Sequence, residues 1–94
     1  MTDVDDLKKL ASSGDAKAQY RLGIAYSFGL GTKRDMGRAI ECFKQAAEQG
    51  DADSQRALGF RYAYGIGIEE DAEQAMHWYT KAAEQKHGQE PSNS

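Results

Sequence analysis

Two glycine pairs have a spacing that could belong to a phosphate-binding loop. Gly29-Leu30-Gly31 and Gly65-Ile66-Gly67 have the small residues of loops whose backbone N–H groups hold phosphate. Neither follows a strand-like run, and neither completes a dinucleotide or P-loop pattern. Both end a helix-like segment, where glycine enters the left-handed conformation of a helix cap at little cost. The pattern therefore favours turns over a nucleotide site.

The other reactive side chains form no catalytic or metal-binding set. His77 and His87 are the two histidines, and neither has a second His or Cys at ligand spacing. Cys42 is the single cysteine, which excludes an intrachain disulfide and is typical of a small buried hydrophobe. No Ser is followed three residues later by Lys, the nucleophile motif of penicillin-binding enzymes. We expect no enzyme, no cofactor and no metal.

Charge and hydropathy narrow the class of partner. The formal net charge is −3, and the longest basic cluster, Lys33-Arg34, is followed at once by Asp35, whereas nucleic-acid readers need clustered Lys and Arg. No apolar run approaches the roughly 20 residues of a membrane span. The N-terminus is acidic where a secretory signal is basic and then apolar. We expect a cytoplasmic protein that binds neither nucleic acid nor membrane.

An internal repeat must position whatever site exists. Residues 14–49 match residues 50–85 at a spacing of 36 positions, with identities that include both glycine pairs, Asp15/Asp51 and the closing Ala-Ala-Glu-Gln. A period of this length is typical of a solenoid unit that buries its apolar face only by stacking on a copy. The segment before residue 14 continues the register, because residues 7–14 align with residues 43–50.

The periodicity predicts five helices in one domain. The boundaries are an N-terminal helix over 3–13, repeat one over 14–49, repeat two over 50–86, and a disordered tail over 87–94. We expect capping-box-like starts at Thr2/Asp5 and Asp71/Gln74. The aspartates predicted as N-caps within the repeats are Asp15, Asp35, Asp51 and Asp71. The apolar stripes predicted to face inward on the second helices are Ala39, Ile40, Phe43, Ala46 and Ala47, then Ala75, Met76, Tyr79, Ala82 and Ala83.

Glycine in mid-helix predicts a close helix crossing. Gly23 and Gly59 each weaken their helix by roughly 0.5–1 kcal/mol relative to Ala, so a packing reason is required. The second helix, which offers Ala46-Ala47 or Ala82-Ala83, is the expected neighbour. Gly23→Leu should therefore destabilise the fold far more than helix propensity alone would.

With these motifs the chain resembles the Sel-one-like repeat, a relative of the tetratricopeptide repeat. The resemblance covers residues 14–85 fully and 7–13 partly. It implies a short right-handed α-solenoid of two repeats with an N-terminal capping helix, in a bacterial, cytosolic adaptor. Two departures are Cys42, where the family usually has the Trp kept at Trp78, and Arg56, which replaces an aromatic or polar residue.

The resemblance also implies where a partner would bind, because in similar repeats the first helices line the concave side. The positions carried over are Lys17, Tyr20, Ile24, Ser27, Phe28, Asp53, Arg56, Phe60, Ala63 and Tyr64. Independently, two stripes at i, i+4, i+8 give these helices a second apolar face, which is either buried or free for a partner. The alternative is that Tyr20 and Phe60 simply cover neighbouring helices.

We therefore expect a non-enzymatic adaptor that binds a protein or peptide on this concave face. The alternative is a small oligomerising or regulatory subunit, such as an inhibitor of a larger enzyme. In that case the uncapped end at Trp78, Tyr79 and Met76 would bind a partner or form a homodimer.

Overall fold

The computed structural model describes residues 3–89 of the 94, with side chains described through residue 85. Within that range the chain forms five helices and no strand, which confirms an all-α, solenoid-like repeat fold. The helices are α1 (Val4–Ser12), α2 (Ala16–Phe28), α3 (Met36–Glu48), α4 (Ala52–Tyr64) and α5 (Ala72–Gln89). We call α2 and α4 the first helices of the repeats, and α3 and α5 the second helices; α1 is in register with the second helices.

Aspartate side chains start the helices by accepting a bond from a free backbone N–H group. The predicted N-caps of α2, α3, α4 and α5 are confirmed, with N–O distances of 2.9 to 3.1 Å. Asp3 caps α1, and Thr2 lies outside the described residues. The reciprocal arm of the predicted Asp71/Gln74 box does not form, because the Asp71 N–H donates to the Tyr62 carbonyl instead.

Glycines with positive φ follow the ends of four helices. The fifth helix has no glycine at the equivalent position and is longer. Gly29 and Gly65 are left-handed caps at φ 68° and 66°, as predicted, and Gly50 turns the chain after α3 at φ 102°. The counterpart of Gly50 one repeat later is Lys86. Because Lys86 carries a Cβ that disfavours positive φ, α5 continues to Gln89. The described helix thus extends past residue 87, where we expected a disordered tail to begin; that boundary stays a prediction, and residues 90–94 are outside the described range.

The two mid-helix glycines admit aromatic rings of the second helices. A Cβ at Gly23 would stand 2.8 Å from Phe43 Cε1, and one at Gly59 would stand 3.0 Å from Tyr79 Cδ1. The close crossing is therefore confirmed. Its partner is an aromatic ring and not the alanine pair that we expected.

The inward stripe is fully buried in α3 but only partly in α5. Ala75 and Ala82 are buried, whereas Met76 is 67% exposed and Ala83 is exposed. Tyr79 packs on Gly59 with one side of its ring and is 37% exposed. The prediction of an inward side chain is therefore wrong for Met76 and Ala83 and holds only in part for Tyr79. Their counterparts in α3 pack against α4, whereas in the described chain α5 packs against α4 and has no following first helix.

A repeated glutamine arrangement joins each repeat to the helix before it. Gln19 donates from Nε2 to the Ala11 carbonyl at 3.1 Å, and Gln55 donates to the Ala47 carbonyl at 3.0 Å. The carbonyl oxygen of each glutamine accepts at 2.8 Å from a glutamine thirty positions on, Gln49 or Gln85. Four residues that the repeat keeps identical thus form two equivalent bridges, whose role the sequence alone does not show.

Candidate partner-binding face

The first helices α2 and α4 lie side by side, because they are joined near both ends. At the N-terminal ends, Lys17 Nζ lies 2.9 Å from carboxylate oxygens of Asp51 and Asp53. Toward the C-terminal ends, Arg61 Nη2 donates to Ser27 Oγ at 3.0 Å. Like ends are joined to like ends, so the two helices run parallel and present one common face.

Three aromatic side chains remain exposed on this face, and we call them the aromatic patch: Phe28, Phe60 and Tyr64. Phe28 and Tyr64 are counterparts and are both 67% exposed. Phe60 is 48% exposed, and its ring packs against the Tyr64 ring with centroids 4.9 Å apart. Phe28 has α4 beside it, whereas no further first helix follows Tyr64 within residues 3–89, yet the exposure of the two side chains is equal. Exposure is therefore a property of this repeat position and does not depend on a following repeat.

Other members of the predicted set serve partly as core. The Tyr20 ring lies 5.9 Å from the ring of Phe43, and Tyr20 and Ile24 are both half-buried against the core cluster. Ala63 is half-buried as well. Of the two open interpretations, cover for a neighbouring helix describes Tyr20, whereas about half of Phe60 remains open to solvent.

Ser27 is a correction to the predicted set. It is 4% exposed and accepts the hydrogen bond from Arg61, so its side chain is not available to a partner. Arg61 is itself 9% exposed, with its guanidinium 5.2 Å from the centroid of the Phe43 ring. Burial, with the positive charge of Arg34 as a lesser cause, lowers the pKa of Arg61. Sequence reasoning missed Arg61, although a cation at the position of Ala25 in repeat one was a signal.

The N-terminal end of the face is a charge cluster. Lys17 bridges Asp51 and Asp53, and Arg56 pairs with Asp53 one helical turn away. Hydrogen bonds to Asp53 and Asp51 raise the pKa of Lys17. Burial acts to raise the pKa of Asp51, but hydrogen bonds from Lys17 and Ser54 outweigh it and lower that pKa. Lys17 and Arg56 thus lie at the rim of the face, with side chains about half exposed.

The glycine, cysteine and histidine residues first considered for chemistry lie in turns, in the core or on the surface. The glycine pairs lie in the turns after α2 and α4. Cys42 is buried, and desolvation raises the pKa of its thiol to about 11, as suits a core side chain. His77 is exposed with its ring beside Trp78. Residues 3–89 contain no group of three or more His, Cys, Asp or Glu side chains arranged for a metal ion. Every helix in the same range is too short or too polar for a bilayer crossing.

Comparison with known proteins identifies the repeat. The family model of the Sel1 repeat matches residues 16–51 and again residues 52–87. A Sel1 repeat protein from Oxalobacter formigenes, known from its crystal structure, is 36% identical with a TM-score of 0.84 over 87% of this chain and 63% of that one. The protective antigen c5321 of uropathogenic Escherichia coli, which has an SLR fold, is 42% identical with a TM-score of 0.87 over 90% of this chain and 18% of that one.

Two mammalian proteins match a shorter segment. The DAP3-binding cell death enhancer 1 of rat and of mouse are each 44% identical over 34 residues, 36% of this chain. The matched segment makes up 7% of the length of these relatives. The likeness is therefore one of a single repeat and does not extend to the whole protein.

Proposed function

We propose that this chain, which belongs to the Sel1 repeat family, is a non-enzymatic, cytoplasmic adaptor whose first helices bind a peptide or protein. Sel1 repeat proteins are generally protein-interaction scaffolds, and the family is generally non-catalytic. The binding surface on this chain is the aromatic patch, flanked by Lys17 and Arg56. We take this to be the concave face of the repeats.

The equal exposure of Phe28 and Tyr64 is the observation that carries the proposal. Exposed aromatic rings cost hydrophobic free energy in water, and a partner that covers them recovers it. Aromatic and arginine side chains are also the residue types that most often dominate binding energy at interfaces. The Phe60 and Tyr64 rings already pack together, so they lose little conformational freedom when a partner binds.

Chemically, the face can grip an extended or helical segment with an apolar centre. The patch offers flat rings toward one end, and Lys17 with the Asp53 carboxylate offers charges of both signs at the other. A ligand with apolar side chains and one charged end fits this arrangement. Binding of this kind makes and breaks no covalent bond.

The test is capture of partners by the immobilised protein, followed by mass spectrometry. Phe60→Ala combined with Tyr64→Ala should abolish capture and leave the far-ultraviolet circular-dichroism spectrum unchanged, because both side chains are exposed. Leu10→Ala is the control, since Leu10 is an exposed apolar residue on α1 and its repeat counterparts are alanines. Capture that survives the double substitution would rule the aromatic patch out.

A second candidate function is that of an oligomerising or regulatory subunit. Met76 is 67% exposed, whereas its counterpart Ile40 is 6% exposed, so α5 presents an apolar surface that the repeat elsewhere covers. A homodimer or a larger complex through α5 would cover it. Sedimentation equilibrium at micromolar concentration checks the homodimer, and a stable monomer would reject it.

A further inference from the structure

A groove lies at the α5 end of the molecule. The equivalent position one repeat earlier, on α3, is occupied by α4. The groove is ≈ 720 Å³ in volume and lies between the N-terminal part of α4 and the face of α5 that carries Tyr79 and Ala83. We call it the end groove. One repeat earlier, the counterparts of Tyr79 and Ala83 are Phe43 and Ala47, which are 0% and 2% exposed in the structure. There α3 packs against α4.

We propose that the end groove binds one amphipathic helix of the α2/α4 type, supplied by a partner protein. The proposal extends an interface that the chain already contains between successive repeats. The end groove shares Lys17, Asp53 and Arg56 with the rim of the proposed peptide site but contains no residue of the aromatic patch. Loss of capture in the Phe60→Ala/Tyr64→Ala variant and loss of peptide binding in a groove variant therefore distinguish the two proposals.

A backbone acceptor fixes one residue of the incoming helix. The Ala11 and Ala47 carbonyls each accept from the glutamine at the fourth position of the next first helix, Gln19 and Gln55. Ala83 is the third member of this series at the same spacing. Ala83 lies within α5, so its carbonyl also accepts a bond of that helix, much as the Ala47 carbonyl accepts from the Gly50 N–H. A glutamine at the fourth position of the docked helix would bind the Ala83 carbonyl as a second donor.

The charge of Asp53 fixes a second residue. Within the chain, Lys17 at the second position of α2 binds Asp53 at the second position of α4. The next helix in the series would place its own second position beside Asp53, whose side chain is 41% exposed. Asp53 already pairs with Lys17 and Arg56, so a Lys or Arg at that position would share this carboxylate, whereas an Asp or Glu would be repelled by it.

A second copy of this chain does not offer such a helix. In the described structure α2 packs against both α1 and α3, and α4 packs against both α3 and α5. The helices at the two ends, α1 and α5, are in register with the second helices. The described residues therefore offer no unpacked helix of the first type, and we assign the occupant to a partner protein.

The probe is a synthetic peptide of residues 14–29, which carries Lys17 and Gln19 at the required positions. It is titrated into the ¹⁵N-labelled full chain and followed by NMR. Amide shifts are expected at Tyr79, Ala83 and Gln85. A peptide with Lys17→Asp should bind about threefold more weakly or worse, because its aspartate meets Asp53.

A variant of the groove itself completes the test. Ala83→Arg fills the groove on an exposed position and should weaken peptide binding at least about tenfold. Gln74→Arg is the matched control, since it adds the same charge at an exposed position of α5 where repeat one already has Arg38. It should leave binding unchanged, and circular dichroism should show both variants folded.

Three results of the peptide titration would overturn the proposal. The first is a set of shifts confined to α1 and α3, because it would mean that the peptide exchanges for the chain's own α2. The second is a peptide affinity that Ala83→Arg does not alter. The third is an absence of amide shifts at millimolar peptide. A dimer in sedimentation that Ala83→Arg dissociates would assign the groove to a second copy, and would overturn it as well.

Discussion

Single residues decide how closely the helices of each repeat approach. Gly23 is the clearest case, because the buried Phe43 ring occupies the space where a Cβ would stand. The glycine weakens α2 as an isolated helix and strengthens the packing of α2 on α3. Local propensity and tertiary packing thus oppose each other at this residue, and packing prevails.

Gly23→Ala should lower the free energy of unfolding by about 1–3 kcal/mol, because overpacking against Phe43 outweighs the gain in helix propensity. Urea denaturation followed by circular dichroism measures it. Gly37→Ala is the matched control. Gly37 is exposed in the first turn of α3, and an added Cβ there meets only Asp35 Oδ1 at 3.5 Å. That change should be neutral or stabilising, and equal effects of the two substitutions would refute the close crossing.

Asp51 should make the fold sensitive to acid. Its pKa in the folded protein is lowered from the ordinary value of 3.8, so its contribution to stability is present above that pH and is lost as the pH falls through the folded pKa. In urea titrations from neutral pH down to about pH 2, Asp51→Asn should flatten the loss of stability on the acid side. Asn at the exposed Asp5 controls for removal of one carboxylate. Parallel acid profiles for the parent and Asp51→Asn would contradict the assignment.

At the scale of elements, the glutamine bridges set how one repeat joins the preceding helix. Gln55 is 3% exposed and lies between the Ala47 carbonyl of α3 and the Gln85 amide of α5. One side chain therefore ties three helices together. The bridge recurs around Gln19, so the angle between successive elements is repeated along the chain.

Gln55→Ala should destabilise the fold by about 1–3 kcal/mol, because it leaves buried hydrogen-bonding groups unsatisfied. The side-chain partnership is tested by a double-mutant cycle with Gln85→Ala. We expect a coupling of about 0.5–1.5 kcal/mol, typical of one hydrogen bond. Strictly additive losses in chemical denaturation would show that the two amides do not interact.

The helices are predicted well from the sequence because the same capping and turn residues occur in both repeats. The aspartate caps and the glycines that end α2 and α4 follow from side-chain chemistry and need no neighbour. The errors lie where a residue's state depends on its neighbours. Met76 shares the apolar character of Ile40 but lacks a helix to cover it, and Ser27 is buried because Arg61 reaches it from another repeat. The end of α5 depends on Lys86, whose departure from glycine was readable from the register.

For the whole molecule, the arrangement of parallel first helices matters most. Neither helix alone offers more than a narrow stripe, whereas α2 and α4 together present Phe28, Phe60 and Tyr64 on one face. The proposed site is thus a product of stacking, and no single repeat contains it. Within residues 3–89 no first helix stacks on α5, so the end groove is open there.

The most direct test of the account is site-specific photo-crosslinking in cells of the organism that makes the protein. A benzoylphenylalanine is placed at Phe28, at Tyr64, or at the exposed control position Glu73 on α5. The account predicts that one and the same protein is crosslinked from positions 28 and 64 and not from 73. Crosslinks that are absent from both aromatic positions, or equal at all three, would contradict a partner-binding face on the first helices.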